Sequence, residues 1–109
     1  LMKEFGDNPF IGYWHDFGHI QRKHNLLILN HEQFLRRMSS HLIGGHVNDV
    51  KWPARDHQVP LLGGVVPFER LLPFFPHGVP LVWELSSVSS EDIRAARKLW
   101  MEKFPQTLA

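Results

Sequence analysis

Leu42-Ile43-Gly44-Gly45-His46-Val47-Asn48 is the stretch that decides the architecture. It is a short apolar run that turns polar at its end, and it reads as a strand that stops at a polar edge. A comparable run lies on each side of it. Upstream, Phe10-Ile11-Gly12-Tyr13-Trp14-His15-Asp16 is rich in aromatics and is ended by Phe17-Gly18. Downstream, Val79 to Leu85 follows the turn-like Pro76-His77-Gly78.

Helix-like stretches alternate with these runs. Ile20 to Asn25 reads as a short helical turn. His31 to Met38 reads as a helix, with Asn30 at its N-cap and Gln33 three residues on, as in a capping box. The second run leads into a long polar loop, Asp49 to Gly64, which holds Lys51, Trp52, Arg55, Asp56 and His57. Pro67 then suits the first turn of a helix that Phe68 to Leu72 continue and Pro73 ends or distorts. The last helix has Ser89 as its cap, Asp92 three residues later, and Ile93, Ala96, Trp100 and Phe104 as a stripe at helical spacing.

The order is therefore β-α-β-α-β-α, which predicts an α/β chain. Three consecutive βα units should form a parallel sheet, with strands adjacent in sequence order and helices as crossovers. The 109 residues hold one domain, spanning 1–109. A complete eight-fold barrel takes about 250 residues, so a chain of this length is at most part of one.

Composition narrows the function. The 12 Lys and Arg against 11 Asp and Glu leave a net charge of +1, which provides no general attraction to nucleic acid or to an anionic membrane. The absence of cysteine excludes a disulfide scaffold, thiolate catalysis and thiolate metal sites, and it agrees with the reducing cytoplasm expected as the compartment. No apolar run approaches the ~20 residues of a membrane span. The opening Leu1-Met2-Lys3-Glu4-Phe5 has neither the apolar region nor the cleavage site of a signal peptide.

In a parallel α/β protein the active site lies at the carboxyl ends of the strands. There the first run ends in Asp16, with His19 just beyond it, and the second in His46, with Asp49 three residues on. The third ends in Glu84. Alternation places Asp16 with Trp14 and Gly12 on one face of the first strand, and Glu84 with Val82 on one face of the third. Trp83 and Leu81 then turn toward covering helices. A carboxylate facing the inside is costly unless it is paired or bound to a cation. Taken singly, Asp16 reads as a cap, His46 as an ordinary surface or core imidazole, and Arg55 as a solvated charge. Together, at corresponding positions, Asp16, His46 and Glu84 form a sulfur-free His/carboxylate set suited to Mn²⁺, Zn²⁺, Co²⁺ or Mg²⁺. The histidines at 15, 24, 31, 41 and 77 read as outward strand, helix or loop residues without a function.

Asp16-Phe17-Gly18-His19, Gly45-His46-Val47-Asn48-Asp49, Gly63-Gly64-Val65-Val66-Pro67-Phe68 and Trp83-Glu84, in this order and spacing, resemble the C-terminal part of the xylose isomerase-like TIM-barrel superfamily. That superfamily includes sugar phosphate isomerases and epimerases and the endonuclease IV group. The resemblance runs from about Pro9 to Phe104. It implies a partial (β/α)8 barrel, with strands six to eight present and one to five absent, as in a fragment, a truncated chain or a split gene product. It also implies that Asp16, His46 and Glu84 match three of the four ligands of a single divalent metal, and that His19 matches a substrate-binding histidine. The endonuclease pattern is altered here, because Arg55-Asp56-His57 places Arg where that group has Asp.

The leading expectation is a metal-dependent sugar or sugar-phosphate isomerase or epimerase working by proton transfer through an enediolate-like intermediate. Glu84 is its ligand and proton carrier, and His19, Arg55 and His57 are its substrate contacts. Trp14 and Trp52 are candidates for an apolar wall against a sugar face. One alternative is a zinc-dependent phosphodiesterase acting at abasic DNA, which the near-neutral charge argues against. Another is a non-catalytic α/β fragment that binds a partner. Raw sheet edges predict self-association or pairing with the missing barrel half.

Overall fold

Alternation along the first strand does what the sequence implies: Trp14 and Asp16 share one face, while His15 is buried on the other beneath the helices. The computed structural model describes residues 12–53, 55–86 and 88–107, so Phe10 and Ile11 of the expected first strand lie outside the described residues. The order is β1 (Tyr13–Asp16), α1 (Phe17–Asn25), α2 (His31–Met38), β2 (Leu42–Val47), β3 (Asp49–Lys51), β4 (Arg55–Gln58), α3 (Phe68–Leu71), β5 (Leu81–Trp83) and α4 (Ser90–Lys103). Short 3-10 turns follow α2, α3 and α4.

The main sheet has three strands in the order β1-β2-β5, and both pairings are parallel. Asp16 pairs with His46 across the first ladder, and His46 with Val82 across the second. The ladder continues one step past β5, where the Glu84 amide donates to the Val47 carbonyl at 3.1 Å. That bond carries Glu84 level with the end of β2. Among the described residues, no helix is long and apolar enough to cross a membrane.

The core lies on the helix side of the sheet. Phe17, Phe68, Leu71 and Val47 are fully buried there, and Trp100 and Phe104 of the last helix and its end close over them. Each such side chain contributes about 1.5–3 kcal/mol relative to exposure. Trp83 joins at the edge, its ring 5.7 Å from Trp100, but it is half-buried rather than covered. All three helix starts predicted or implied by a polar residue are capped. The Asp16 carboxylate accepts from the His19 amide at 2.9 Å, Asn30 from Gln33 at 3.0 Å, and Ser89 from Asp92 at 3.1 Å.

Three local expectations need correction, and one other holds. The helix after β1 starts at Phe17 rather than Ile20, because Asp16 caps it directly and Phe17-Gly18 form its first turn. The stretch from Asp49 to Gly64 is no open loop, since β3 and β4 pair antiparallel within it. The helix at Phe68 does end at the proline, running to Leu71 and passing into a 3-10 turn that contains Pro73. His15 and His31 are not outward residues: they are buried, with their Nε2 atoms 2.8 Å apart.

Two buried polar groups tie these pieces together. Asp49 accepts from the amides of Val50 at 2.8 Å, Val66 at 2.9 Å and Leu61 at 3.3 Å, fastening the hairpin to the segment that leads into α3. Burial pushes its carboxyl up, and those backbone bonds work against the shift. Gly64 is required beside it, since a Cβ there would run into the Asp49 carboxylate. Asn48, at the end of β2, accepts from the Gly18 amide at 2.7 Å and so anchors the first turn of α1 against the sheet.

Candidate metal centre

Three successive parallel strands stop at the same level, and each carries a donor at its end. Asp16 is the last residue of β1 and doubles as the cap of α1, so its Oδ1 is turned to the His19 amide while Oδ2 faces the sheet edge. His46, its cross-strand partner, presents Nδ1 at 3.9 Å from Asp16 Oδ2. Glu84 brings Oε2 to 3.3 Å from the same His46 nitrogen. One ligand atom from each residue lies within 4.8 Å of the other two, and among the described residues this is the one such group of three.

The donor set suits a divalent cation on its chemistry. It offers one imidazole nitrogen and two carboxylates, a combination of borderline and hard ligands that Zn²⁺, Mn²⁺, Co²⁺ and Mg²⁺ accept. Ligand bonds of about 2.0–2.2 Å require donors on one ion to lie within roughly 4.4 Å of one another, so the observed separations close onto an ion with small side-chain adjustments. The side chains of Asp16, His46 and Glu84 are 17%, 36% and 43% exposed, which leaves room for further ligands from the open side.

The wall beside the triad is apolar. Trp14 stands edge-on to His46, with ring centroids 5.5 Å apart, and its indole covers Gly44 so closely that a Cβ there would collide with it. Ile43 and Val82 are also exposed here. Trp52 lies on the β3–β4 turn, and no ring contact links it to the triad among the described residues.

Imidazoles crowd the same edge. His19, in the first turn of α1, has Nδ1 at 3.6 Å from Asp16 Oδ2 and a side chain 58% exposed. His57, on β4, brings Nε2 to 3.0 Å from Glu84 Oε1, and its ring lies 5.6 Å from that of His19. Of the residues singled out from the sequence, Asp16, His46, Glu84, His19 and His57 therefore come together. Arg55 does not: it is exposed at the start of β4, and no hydrogen bond or ion pair joins it to the triad among the described residues.

Two participants escaped the sequence reading as site residues. Asp56 Oδ1 lies 3.2 Å from His57 Nδ1, and Arg22 donates from Nη1 to Asp56 Oδ2 at 2.8 Å. The one available signal was the position of Arg22, three residues after His19 and hence on the same helix face. The His57 contact is the first cause holding the Asp56 carboxyl below its ordinary range. Partial burial pulls the His57 imidazole down, but the bonds and charges of Asp56 and then Glu84 outweigh it and leave the ring above its usual value.

Comparison with protein families, with curated proteins and with solved structures returned no significant match to this chain.

Proposed function

We propose that the three βα units are the last three of a (β/α)8 barrel, strands six to eight. In this reading the protein acts as a metal-dependent sugar or sugar-phosphate isomerase or epimerase. The observation that carries the proposal is the meeting of Asp16, His46 and Glu84 at the carboxyl ends of adjacent parallel strands. That edge is where α/β folds of this kind gather reactive groups.

A divalent cation held by these residues would supply Lewis-acid polarisation of a bound carbonyl and its neighbouring hydroxyl. Asp16 and His46 serve as holders, since each is fixed by the cross-strand register and Asp16 also by its capping bond. Glu84 takes the proton from the carbon next to the carbonyl and returns it; it is the more exposed of the two carboxylates. His19, with an exposed ring at the rim, donates to a substrate oxygen, and Trp14 offers the flat apolar surface on which a sugar face packs. Arg55 reaches outlying substrate oxygens from the hairpin. His57 spends both ring nitrogens on protein carboxylates, so the direct substrate contact expected of it gives way to a supporting role.

The test is proton exchange. The protein that carries this sequence, loaded with Mn²⁺ in D₂O, should place deuterium beside the carbonyl of a ketose or ketose phosphate, as read by NMR. Glu84→Gln should abolish the exchange, because an amide cannot carry the proton. Undiminished exchange in that variant removes Glu84 from the chemistry. No exchange across a panel of ketoses and aldoses removes the isomerase reading. A zinc phosphodiesterase acting at abasic DNA is the second reading, favoured by the crowding of His19 and His57 beside the triad. Binding of several zinc ions per chain, with nicking of abasic duplex, would establish it instead.

A further inference from the structure

Glu84 is held on the oxygen that the triad does not use. Its Oε2 faces His46, while Oε1 lies 3.0 Å from His57 Nε2. Behind His57 stands Asp56, with Oδ1 at 3.2 Å from Nδ1, and behind Asp56 stands Arg22, donating to Oδ2 at 2.8 Å. The chain crosses three parts of the fold: Arg22 on α1, Asp56 and His57 on β4, and Glu84 just past β5. A backbone bond of 3.0 Å from the Ser86 amide to the His57 carbonyl ties the hairpin to the segment after Glu84 a second time.

The backbone at His57 is constrained as well. Its φ is +53°, in the left-handed region that a non-glycine residue enters at a cost and keeps only where its surroundings over-determine it. The twist occurs inside a strand and aims the ring between Asp56 and Glu84. Ion pairs as exposed as that of Arg22 and Asp56 contribute little to stability, so a purely structural purpose accounts poorly for this arrangement.

We propose that Arg22, Asp56 and His57 are positioning residues that preset the Glu84 carboxylate for a divalent cation. Asp56 orients the imidazole, the imidazole fixes Oε1, and Oε2 is thereby left facing Asp16 and His46. The inference rests on the metal-centre reading above and adds to it a supporting shell. Such outer-shell partners typically change metal affinity by about 10–100-fold when removed.

The experiment is Mn²⁺ binding to the full chain, followed by electron paramagnetic resonance, with the Co²⁺ absorption spectrum as a second readout. Asp56→Asn and Arg22→Gln alter half-exposed side chains and leave the core intact, which a thermal melt checks. Both should weaken Mn²⁺ binding, Asp56→Asn by about 10-fold or more, and shift the Co²⁺ bands. Asp56→Glu should recover part of the loss. A native chain that binds Mn²⁺ but shows the same affinity and Co²⁺ spectrum in both variants overturns the positioning role alone. A native chain that binds no Mn²⁺, or binds it equally well as His46→Ala, overturns the metal centre and this inference with it.

Discussion

Acid should undo this fold through His15 and His31. Their hydrogen bonds form a chain with one direction. Gln21 Oε1 can only accept, so His31 donates to it from Nδ1 at 2.7 Å and is left with a bare Nε2. His15 must then donate from Nε2 across the 2.8 Å contact, and its Nδ1 accepts from the Tyr13 hydroxyl at 3.0 Å. An extra proton on His31 would set N–H against N–H inside the core, and one on His15 would reverse the Tyr13 hydrogen bond and bury a charge there. Burial first, and then the charge on His31, lowers His15 to about 3; burial and then His24 lower His31 to about 3 as well. Both folded values lie below the unfolded one, so the stability they contribute is present above about pH 6.5 and lost as pH falls toward 3. At about pH 5 the unfolded chain has gained a proton on each imidazole that the native state refuses, which amounts to about 2 kcal/mol per ring and about 4 kcal/mol together. That is most of the stability of a marginal small domain. Asp49, raised above its ordinary value, contributes with the opposite sign at acidic pH and softens the net slope, whereas the raised His57 adds stability below pH 6.5 that is lost only as pH climbs above it. Urea unfolding followed by tryptophan fluorescence should therefore show a midpoint that drops steeply between about pH 6.5 and pH 5. NMR should show two imidazoles that do not titrate in this range. A midpoint independent of pH, or His15 or His31 titrating near 6.5, would refute the buried neutral chain.

Three further outcomes test the packing. Trp100→Ala should cost about 3–5 kcal/mol in a thermal or denaturant melt, because the ring is 4% exposed among Phe68, Trp83 and Phe104; a near-neutral effect would mean that α4 is not docked. Asp49→Ala should strip the Val66 and Leu61 amides of their acceptor, at about 1–3 kcal/mol for each amide that water does not reach, and amide exchange at Val66 should accelerate. A Val66 amide that stays protected contradicts that role. Among the described residues β1 and β5 each have one unpaired edge, and Trp14, Ile43 and Val82 are exposed on the face between them. Sedimentation should accordingly reveal concentration-dependent association, and a monomer at all concentrations would count against open edges.

The donors of the candidate site were legible because a parallel strand end is a fixed address. Once Tyr13–Asp16, Leu42–Val47 and Leu81–Trp83 are read as neighbouring strands, alternation alone sends Asp16, His46 and Glu84 to one face and one level. The caps at Asn30 and Ser89 were equally plain, since the bond runs only three residues along the chain. The β3–β4 hairpin was not legible. Lys51 and Arg55 are exposed and no apolar alternation marks either strand, so the pairing has no pattern of its own in the sequence. Asp49 shows why it forms: its buried carboxylate collects amides that are 12 and 17 residues away.

The features readable along the chain are therefore local or periodic: the three parallel strands, the capped helices, the apolar stripe of the last helix, and the polar residue closing each strand. These follow from backbone sterics and from side-chain periods of about 2 and 3.6, which act between near neighbours. Which polar groups meet depends instead on how the chain folds back on itself. His15 faces His31 because α2 folds back across β1, and His57 reaches Glu84 because a hairpin with a left-handed residue turns it there; those partners are 16 and 27 positions apart. A hydrogen bond forms or fails within a few tenths of an ångström, whereas burial tolerates much looser placement. Apolar pattern thus carries forward from the sequence, and the pairing of imidazoles with carboxylates is settled only once the chain has closed on itself.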